Sequence, residues 1–381
     1  MPPGYALESP EPTTVYVSFF VESIGNFQST SMDFEVDIYL MEYWRDTRLT
    51  HRRAVPVQSD RDDLMELVWM PDLFIVNSKD ARYNEVTRPN RILQIFGNGT
   101  VRFSVRVSAR LFCSMAFHNY PFDKQICCIK LMPYGYNESF LAAKWANATR
   151  FGYSPIRLNP GIKEFDFVLD RRVYHSYCDG SFAEGNYSCL TAKFILHRTH
   201  SHSLLQTYAP TFSIVAISWI SFWIDPESVP GRTGLCVTTL LTLTTMASWA
   251  SRNTPVVSYI KALDVWLTAC LMFLFGSLLE FTAVNLYTRR SGQTRLEPGD
   301  VRCIALLNMS DSAYAAYLQR LANEDYQTAL KIDRFSRLAF PTAFVTFVII
   351  YLSVIFGTQP SFSDCDDDVM DHIQGGSCMC M

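Results

Sequence analysis

Hydrophobic and polar positions follow different rhythms in the two halves of the chain. Before residue 204, short runs alternate between apolar and polar residues, most clearly in "VRFSVRV" at 101–107. Alternation with a period of two predicts β-strands with one buried face, and turn signals such as Gly97-Asn98-Gly99 separate the runs. Many short strands of this kind predict a β-sandwich over residues 1–203.

After residue 203 the chain contains long apolar segments. The stretch 204–224 has 21 residues without a formal charge, which is long enough to cross about 30 Å of hydrocarbon. Three further segments of sufficient length follow at 230–252, 262–287 and 338–356. We therefore predict a transmembrane four-helix bundle, with three helices within 204–287 and the fourth at 338–357. The intervening residues 288–337 are predicted to form a flexible loop and then an amphipathic helix, which begins near residue 313 and runs into the last span.

The distribution of charge and cysteine predicts the orientation in the membrane. Arginines cluster in 288–337, which the positive-inside tendency assigns to the cytoplasm. Four spans then put both termini, including the tail 358–381, outside the plasma membrane, with a postsynaptic location left open. Five of the eleven cysteines precede residue 204, where an oxidising exterior would allow them to pair. Four glycosylation sequons lie in the same domain, at Asn98, Asn137, Asn147 and Asn186.

The second span carries an unusual stripe of small and hydroxyl residues. Its members recur at spacings of four and three residues and therefore share one face of a helix; they are Gly234, Thr238, Leu241, Thr245, Ser248 and Arg252. Such a stripe is typical of tight helix packing or of a water-filled pore formed by several copies around an axis. In a pore, Leu241 would form an apolar ring that closes the path by dewetting.

The residues Pro230-Gly231-Arg232 precede this stripe, and no acidic residue occurs between Val229 and Arg252. A ring of Arg232 side chains at the cytoplasmic mouth would concentrate anions and repel cations. The alternative is an arginine that simply reaches the membrane surface from a helix end.

Composition excludes several other classes of function. The chain is 49% hydrophobic and 18% charged with a net charge of −4, so nucleic acid is not an expected partner. It contains no nucleophile motif, phosphate loop or metal-ligand spacing, and we expect no enzymatic activity, no cofactor and no metal. A membrane-tethered adhesion protein is a competing reading, but a simple anchor has no use for the hydroxyl stripe.

Several motifs resemble one known family. "CSMAFHNYPFDKQIC" at 113–127 has thirteen residues between its cysteines, and "WMPDLFIVN", "VPGRTGLCVTTLLTLTT" and "VSYIKALDVW" agree with it. Over about residues 13–357 the chain closely resembles the Cys-loop receptors, the pentameric ligand-gated ion channels, and within them the anion-conducting invertebrate branch. The resemblance implies a homopentamer around the second span, with a heteropentamer left open, and Pro230-Gly231-Arg232 as a segment that selects chloride.

The resemblance also implies disulfides Cys113–Cys127 and Cys178–Cys189 and a ligand site between subunits. An aromatic box of this kind suits a cationic amine, because ring faces carry negative charge. The positions on the principal face are Phe74, Tyr134, Phe182 and Tyr187, with Glu184 as the nearby acid. The positions on the complementary face are Tyr39, Met41, Ser104 and Arg106.

Departures from the family pattern affect the expected stimulus. Amino-acid-gated relatives place an arginine at the position of Met41, and methionine cannot grip a carboxylate. We therefore expect gating by extracellular pH or by an unidentified small ligand; the alternative is a conventional amine- or amino-acid-gated chloride channel. Histidine titrates near neutrality, and the candidate sensors, with a solvated linker as the alternative reading for the first three, are His197, His200 and His202, followed by His118 and His175. The sequence does not fix whether acid or alkali opens the channel.

The resemblance finally suggests residues that couple the two domains. They include Phe122 and Asp123 of the Cys loop and the linker from Pro255 to Lys261 that follows the pore helix. Arg198 precedes the first span, and we expect it to form an ion pair with either Glu22 or Asp123.

Overall fold

The computed structural model describes residues 1–6, 11–146, 151–163, 166–252, 254–296 and 311–357. The predicted sequon at Asn147 and the acidic tail lie outside these residues. The described residues form two compact units. The first contains Met1–Ala116 and Asp123–Thr199, and the second contains Phe117–Phe122 and the described residues between His200 and Gly357.

The first unit consists mainly of β-strands. Those described are β1 (Thr13–Gln28), β2 (Asp33–Arg45), β3 (Val57–Ser59), β4 (Leu73–Ile75), β5 (Ser78–Tyr83), β6 (Arg91–Ile95), β7 (Thr100–Phe112), β8 (Lys124–Pro133), β9 (Leu141–Trp145), β10 (Ile156–Leu158), β11 (Phe167–Leu169), β12 (Tyr174–Cys178), β13 (Ser181–Phe182), β14 (Gly185–Asn186) and β15 (Cys189–Arg198). Three short helical segments accompany them: Pro3–Ala6, Thr47–Leu49 and α1 (Asp62–Leu67).

Two sheets build this unit. The larger has the order β10-β1-β2-β7-β6-β3, with β9 beside β1 and β5 beside β7. The smaller has the order β11-β15-β8-β4, with β12 beside β15, and β13 and β14 form a separate hairpin. Alternate residues of β1, such as Val15, Val17 and Phe19, are fully buried; each contributes roughly 1.5–3 kcal/mol by leaving water. The predicted β-sandwich is confirmed.

The second unit is helical, with α2 (Ala209–Ser218), α3 (Val229–Arg252), α4 (Ala262–Leu296) and α5 (Asp311–Gly357). A π-helical turn, Leu204–Tyr208, precedes α2, and a 3-10 segment, Trp219–Trp223, follows it. The predicted first span is therefore not one regular helix, and Pro210 explains the change because it has no N–H to donate to the preceding turn. One continuous helix, α5, covers both the segment predicted to be amphipathic and the predicted last span, and it continues through Pro341.

The structure corrects the predicted loop that begins at residue 288, because residues 288–296 continue the helix α4. Among the described residues, two helices are long and apolar enough to cross a membrane, Ala262–Gly292 and Gln319–Gly357. The hydroxyl residues of α3 lower its mean hydropathy, and the first span consists of short pieces. Four membrane spans remain a prediction.

An aromatic core joins the helices of the second unit. The Trp266 ring of α4 lies 5.0 Å from Tyr208, 5.5 Å from Tyr351 and 6.0 Å from Phe344. The Tyr208 and Tyr351 hydroxyls are 2.7 Å apart, and Trp266 Nε1 donates to Thr211 Oγ1 at 2.9 Å. The buried polar atoms of these rings thus have partners, as an apolar interior requires.

Candidate functional site

The predicted stripe of α3 lies on its exposed face. Every member of the stripe is exposed, and 63% of Leu241 is accessible. The buried positions of α3 form a second stripe about half a turn away, consisting of Arg232, Cys236, Thr239, Leu243 and Ala250. The Thr238 and Thr245 hydroxyls donate to carbonyls of their own helix at 2.8 Å, which leaves their lone pairs directed to the surroundings.

Arg232 occupies the buried stripe, which corrects the prediction of an exposed arginine at the pore mouth. Its side chain is fully buried. The guanidinium donates to both carboxylate oxygens of Asp333 in α5, at 2.9 and 2.6 Å, and to the Ile224 carbonyl. The carboxylate, 101 residues further along the chain, neutralises the arginine and draws it into the helical unit. Pro230 and Gly231, in contrast, are exposed.

The aromatic residues predicted for the principal face form two separate pairs. Phe74 and Tyr134 meet edge to face at 5.6 Å between ring centroids, and Phe182 and Tyr187 do so at 5.8 Å. Phe182 is in β13 and Tyr187 directly follows β14, and Glu184 between these two strands is exposed. Tyr134 is 79% exposed, so its ring is available to a ligand.

The residues predicted for the complementary face lie on two paired strands. Tyr39 is opposite Arg106, and Met41 is opposite Ser104, in β2 and β7. Arg106 lies over the Tyr39 ring at 5.4 Å and forms an ion pair with Asp37, whose carboxylate raises the pKa of Arg106. A second carboxylate would therefore have to compete with Asp37.

The structure corrects the role predicted for Met41, which is 5% exposed. Tyr43 and Arg102 cover it, and its sulfur lies 3.8 Å from the Tyr43 hydroxyl and 3.7 Å from Nη2 of Arg102. A buried methionine is a packing residue rather than a direct ligand contact.

Arg102 is a candidate site residue that sequence reasoning missed. It lies over the Tyr43 ring at 5.9 Å and donates to Gln94 at 3.4 Å, and the ion pairs within the described residues do not include it. The signal was present in "VRFSVRV", because the alternation that exposes Arg106 also places Arg102 on the same face of β7.

A second missed feature is an acid in the core of the first unit. Glu42 is 4% exposed, and its Oε2 atom has no hydrogen-bond partner among the described residues. Burial and the charge of Asp72 raise the pKa of Glu42 to about 8. The alternation of β2 indicates this position, since Glu42 is in phase with the buried Phe34, Ile38 and Trp44.

The disulfides Cys113–Cys127 and Cys178–Cys189 are both present, as predicted. Of the two partners proposed for Arg198, the structure has Asp123, whose carboxylate oxygens lie 2.7 and 3.1 Å from the guanidinium. Glu22 instead accepts from Asn159 at 3.1 Å.

The Cys-loop residues Phe117–Phe122 belong to the second unit. Here His118 stacks on Tyr259 with ring centroids 4.1 Å apart, and Phe122 lies 5.5 Å from His200 and 5.8 Å from Tyr208. Within the linker after α3, Lys261 donates to the Pro255 carbonyl at 3.0 Å.

The remaining predicted residues are placed as follows. His197 lies on β15 opposite Lys124, His202 is exposed before the π-helical turn, and His175 is exposed beside Trp145. The sequon residues Asn98 and Asn186 are exposed, and Asn137 is half-buried.

A strand-rich unit with a disulfide-closed loop, followed by long apolar helices, is the architecture of a ligand-gated membrane channel. The family model of the neurotransmitter-gated ion-channel ligand binding domain matches residues 4–200. The model of the neurotransmitter-gated ion-channel transmembrane region matches residues 207–315. The chain therefore belongs to the neurotransmitter-gated ion-channel family, and the predicted resemblance is confirmed.

The members of this family are pentameric, multi-pass channels of the plasma membrane with an extracellular N-terminal domain, and they are not enzymes. The chain is 38% identical over 286 residues to the glycine receptor subunit beta-type 4 of Caenorhabditis elegans. The alignment covers 75% of this chain and 59% of that relative, so the chain spans less than two thirds of the relative's length.

Proposed function

We propose that the chain is the subunit of a chloride-selective homopentameric channel that opens in response to extracellular pH or to an unidentified small ligand. The observation that carries the pore is the exposed hydroxyl stripe of α3. The helix α3 buries Leu243 and exposes Leu241, Thr245 and Ser248. The exposed hydroxyls of Thr245 and Ser248 are best accommodated beside water or beside another subunit. Five such helices around an axis supply both.

Chloride selectivity is supported by the charge distribution of α3 rather than by a free Arg232. The helix contains no carboxylate, so nothing on its pore-facing stripe repels an anion. Its first residues, including the exposed Pro230 and Gly231, are at the positive end of the helix dipole. We place that end at the cytoplasmic mouth, in agreement with the arginines that follow the third span.

Gating by pH is supported by what the predicted ligand site lacks. Met41 is buried, and Arg106 is paired with Asp37, so neither supplies a free cation to a transmitter carboxylate. Histidines meanwhile lie against the segments expected to couple ligand binding to the pore, His118 on Tyr259 and His200 on Phe122.

The test is a recording from cells that express the chain alone. External pH is stepped from 6 to 10, and amines and amino acids are then applied at pH 7.4. We expect pH-dependent currents whose reversal potential follows external chloride and ignores sodium. Currents carried by sodium would overturn the pore assignment, and silence to pH with a response to a transmitter would overturn the stimulus.

One observation favours the second candidate, a chloride channel gated by an amino acid. Arg102 lies beside the Met41 sulfur and has no ion-pair partner among the described residues, so it offers a guanidinium where the family's arginine is missing. A carboxylate-bearing transmitter could then be bound bidentately. The name of the relative in Caenorhabditis elegans, a glycine receptor subunit, agrees with this candidate.

One variant distinguishes the pH-gated channel from the amino-acid-gated channel. If an amino acid is the agonist, we expect Arg102→Gln to raise the half-maximal concentration about tenfold or more, the value of one lost charged contact. The control is Arg45→Gln, an exposed arginine on β2. If pH is the stimulus, Arg102→Gln leaves the amplitude of the response unchanged.

We also propose that Asn98, Asn137, Asn147 and Asn186 carry glycans, which enzymatic deglycosylation of surface protein would detect as a loss of mass. Assembly with a second type of subunit is the alternative to the homopentamer, and currents from cells that express this chain alone would exclude an obligatory partner.

A further inference from the structure

The first unit buries an acid where a sandwich core normally has an apolar residue. Glu42 is on the inward face of β2, in register with Val17 of β1 and Phe103 of β7. Neither neighbour carries a charge, and the next inward residues of β2, Leu40 and Trp44, are apolar. Glu42 Oε2 is buried without a partner among the described residues, an arrangement that disfavours the ionised form.

The charge that acts on Glu42 belongs to Asp72, which precedes β4 of the other sheet. Asp72 Oδ1 is also buried without a hydrogen-bond partner among the described residues. A cluster of aromatic rings includes Trp44, the next inward residue of β2 after Glu42. The Trp69 ring lies 6.0 Å from the Trp44 ring, and Trp69 Nε1 lies 3.4 Å from the Tyr136 hydroxyl. The charge that acts on the Glu42 carboxyl is therefore a like charge, and none of the ion pairs among the described residues includes Glu42.

Asp72 also contacts the predicted ligand site. Its Oδ2 accepts the N–H of Gly135, and its main-chain carbonyl accepts the N–H of Tyr134 at 3.3 Å. Tyr134 is the exposed ring that packs on Phe74. A movement of Asp72 would therefore move the backbone that presents Tyr134.

We propose that Glu42, buried in the sandwich with a carboxyl oxygen unpartnered among the described residues, is the proton-binding site through which extracellular pH gates the channel, and that loss of its proton opens the pore. This inference rests on the proposed pH-gated function. When the Glu42 carboxyl releases its proton to solvent, its buried carboxylate is repelled by the charge of Asp72. Conformations that hydrate Glu42 or displace Asp72 then gain population, and Tyr134 moves with Asp72.

The sign of the response follows from the direction of the perturbation. Burial and the Asp72 charge raise the pKa of Glu42 to about 8 in the described conformation, whereas the carboxyl ionises at lower pH in any conformation that hydrates it. Rising pH therefore favours the hydrated conformation. The channel is expected to be closed at neutral pH and to open near pH 8.

The decisive variant is Glu42→Gln, which keeps the shape of the side chain and removes the titration. In cells expressing the full chain, we expect the alkaline current to disappear or its midpoint to move by at least one pH unit. Glu42→Asp retains a carboxyl and should keep an alkaline response. The matched control is Glu35→Gln, an exposed acid on the same strand, which should leave the midpoint unchanged.

Asp72→Asn tests the pair through its other member. The amide oxygen can still accept from Gly135, but the like charge is gone, so we expect the midpoint to move to lower pH. In the double variant Glu42→Gln/Asp72→Asn, the Asp72 substitution should add nothing to the effect of Glu42→Gln. A midpoint that Asp72→Asn leaves in place or moves upward overturns the inference.

Surface labelling of every variant separates loss of gating from loss of protein. A wild-type channel that ignores pH overturns the proposed gating by pH, on which this inference rests, and leaves the assignment as a chloride channel standing. A wild-type alkaline response that Glu42→Gln at the surface leaves unchanged overturns this inference alone, as does opening of the wild type by acid. If Glu42→Gln does not reach the surface, the shift in Asp72→Asn decides.

Discussion

Each unit of this chain buries a charge-bearing side chain, and the two are treated in opposite ways. In the helical unit, Arg232 is fully buried against Asp333, with two short hydrogen bonds to its carboxylate. In the sandwich unit, Glu42 is buried without an ion-pair partner among the described residues, and burial and the charge of Asp72 raise its pKa to about 8. The first arrangement fixes a charge and its position, whereas the second makes the charge depend on pH. A buried ionisable group changes its charge with pH where no ion-pair partner of opposite charge stabilises the ionised form.

The largest effect is expected from breaking the paired case. Asp333→Ala leaves a buried guanidinium without its partner, which costs about 3–5 kcal/mol. We expect the variant to be lost from the cell surface, while Glu324→Ala, an exposed acid of the same helix, is retained. Replacing both partners, Arg232→Met with Asp333→Leu, should recover part of the surface expression, because the guanidinium and the carboxylate are then removed together and neither stays buried without the other. Normal expression of Asp333→Ala would contradict the comparison.

The unpaired case predicts a dependence of stability on pH. The ordinary value for the Glu42 carboxyl is 4.5, and the folded value is about 8, so between them the unfolded chain binds fewer protons than the folded chain. Stability therefore falls as pH rises through this window, by on the order of 3 kcal/mol. Thermal unfolding of the purified channel at pH 5 and pH 9 measures it. In Glu42→Gln the difference between the two pH values should shrink, and an unchanged difference would refute the assignment.

A partly exposed pair should give an intermediate effect. The Arg198 side chain is 14% exposed and that of Asp123 is 2% exposed. Arg198→Gln should cost about 1–3 kcal/mol, because a buried carboxylate loses a charged partner, and it should shift gating if the pair couples the two domains. The charge exchange Arg198→Asp with Asp123→Arg tests the pair itself. Failure of the exchange to recover any of the single-variant defect would count against coupling through this contact.

The smallest effect is expected at an exposed pair. Arg88 and Asp60 lie 3.3 Å apart, with side chains 80% and 46% exposed. Water and salt screen such a pair, so Asp60→Asn should change neither the unfolding temperature nor the gating measurably. A clear loss of stability in this variant would mean that side-chain exposure does not predict the order of the effects in these four predictions.

The spacing of apolar and polar residues along the sequence predicted much of this structure, and the predictions that were wrong have a common cause. Alternation in β7 and the spacing of the α3 stripe follow from local geometry, so the sandwich and the exposed face of α3 were predictable. The buried position of Arg232 was not, because Asp333 is 101 residues away and nothing local points to it. Glu42 could have been found, since its phase in β2 is that of the core, but its glutamate identity argued for solvent.

The predicted ligand site failed in a similar way. Met41 has the phase of an exposed residue in β2, yet Tyr43 and Arg102 cover it. Long side chains on neighbouring strands decide what is accessible, and a pattern along one strand does not contain them. Arg102 and Arg106 look equivalent in the sequence, but Asp37 pairs with Arg106 and so distinguishes them.

The ion pair between α3 and α5 has a consequence for synthesis. Translation adds about 5–20 residues per second, so Arg232 is made about 5–20 s before Asp333, the residue 101 positions later that neutralises it. During that interval the newly made α3 carries an arginine with no counter-ion, and water, lipid headgroups or the insertion machinery must accommodate it. The earlier helices therefore reach their final packing only after α5 has been synthesised. A nascent chain that stops before α5 would expose the charge of Arg232, which cellular quality control can recognise.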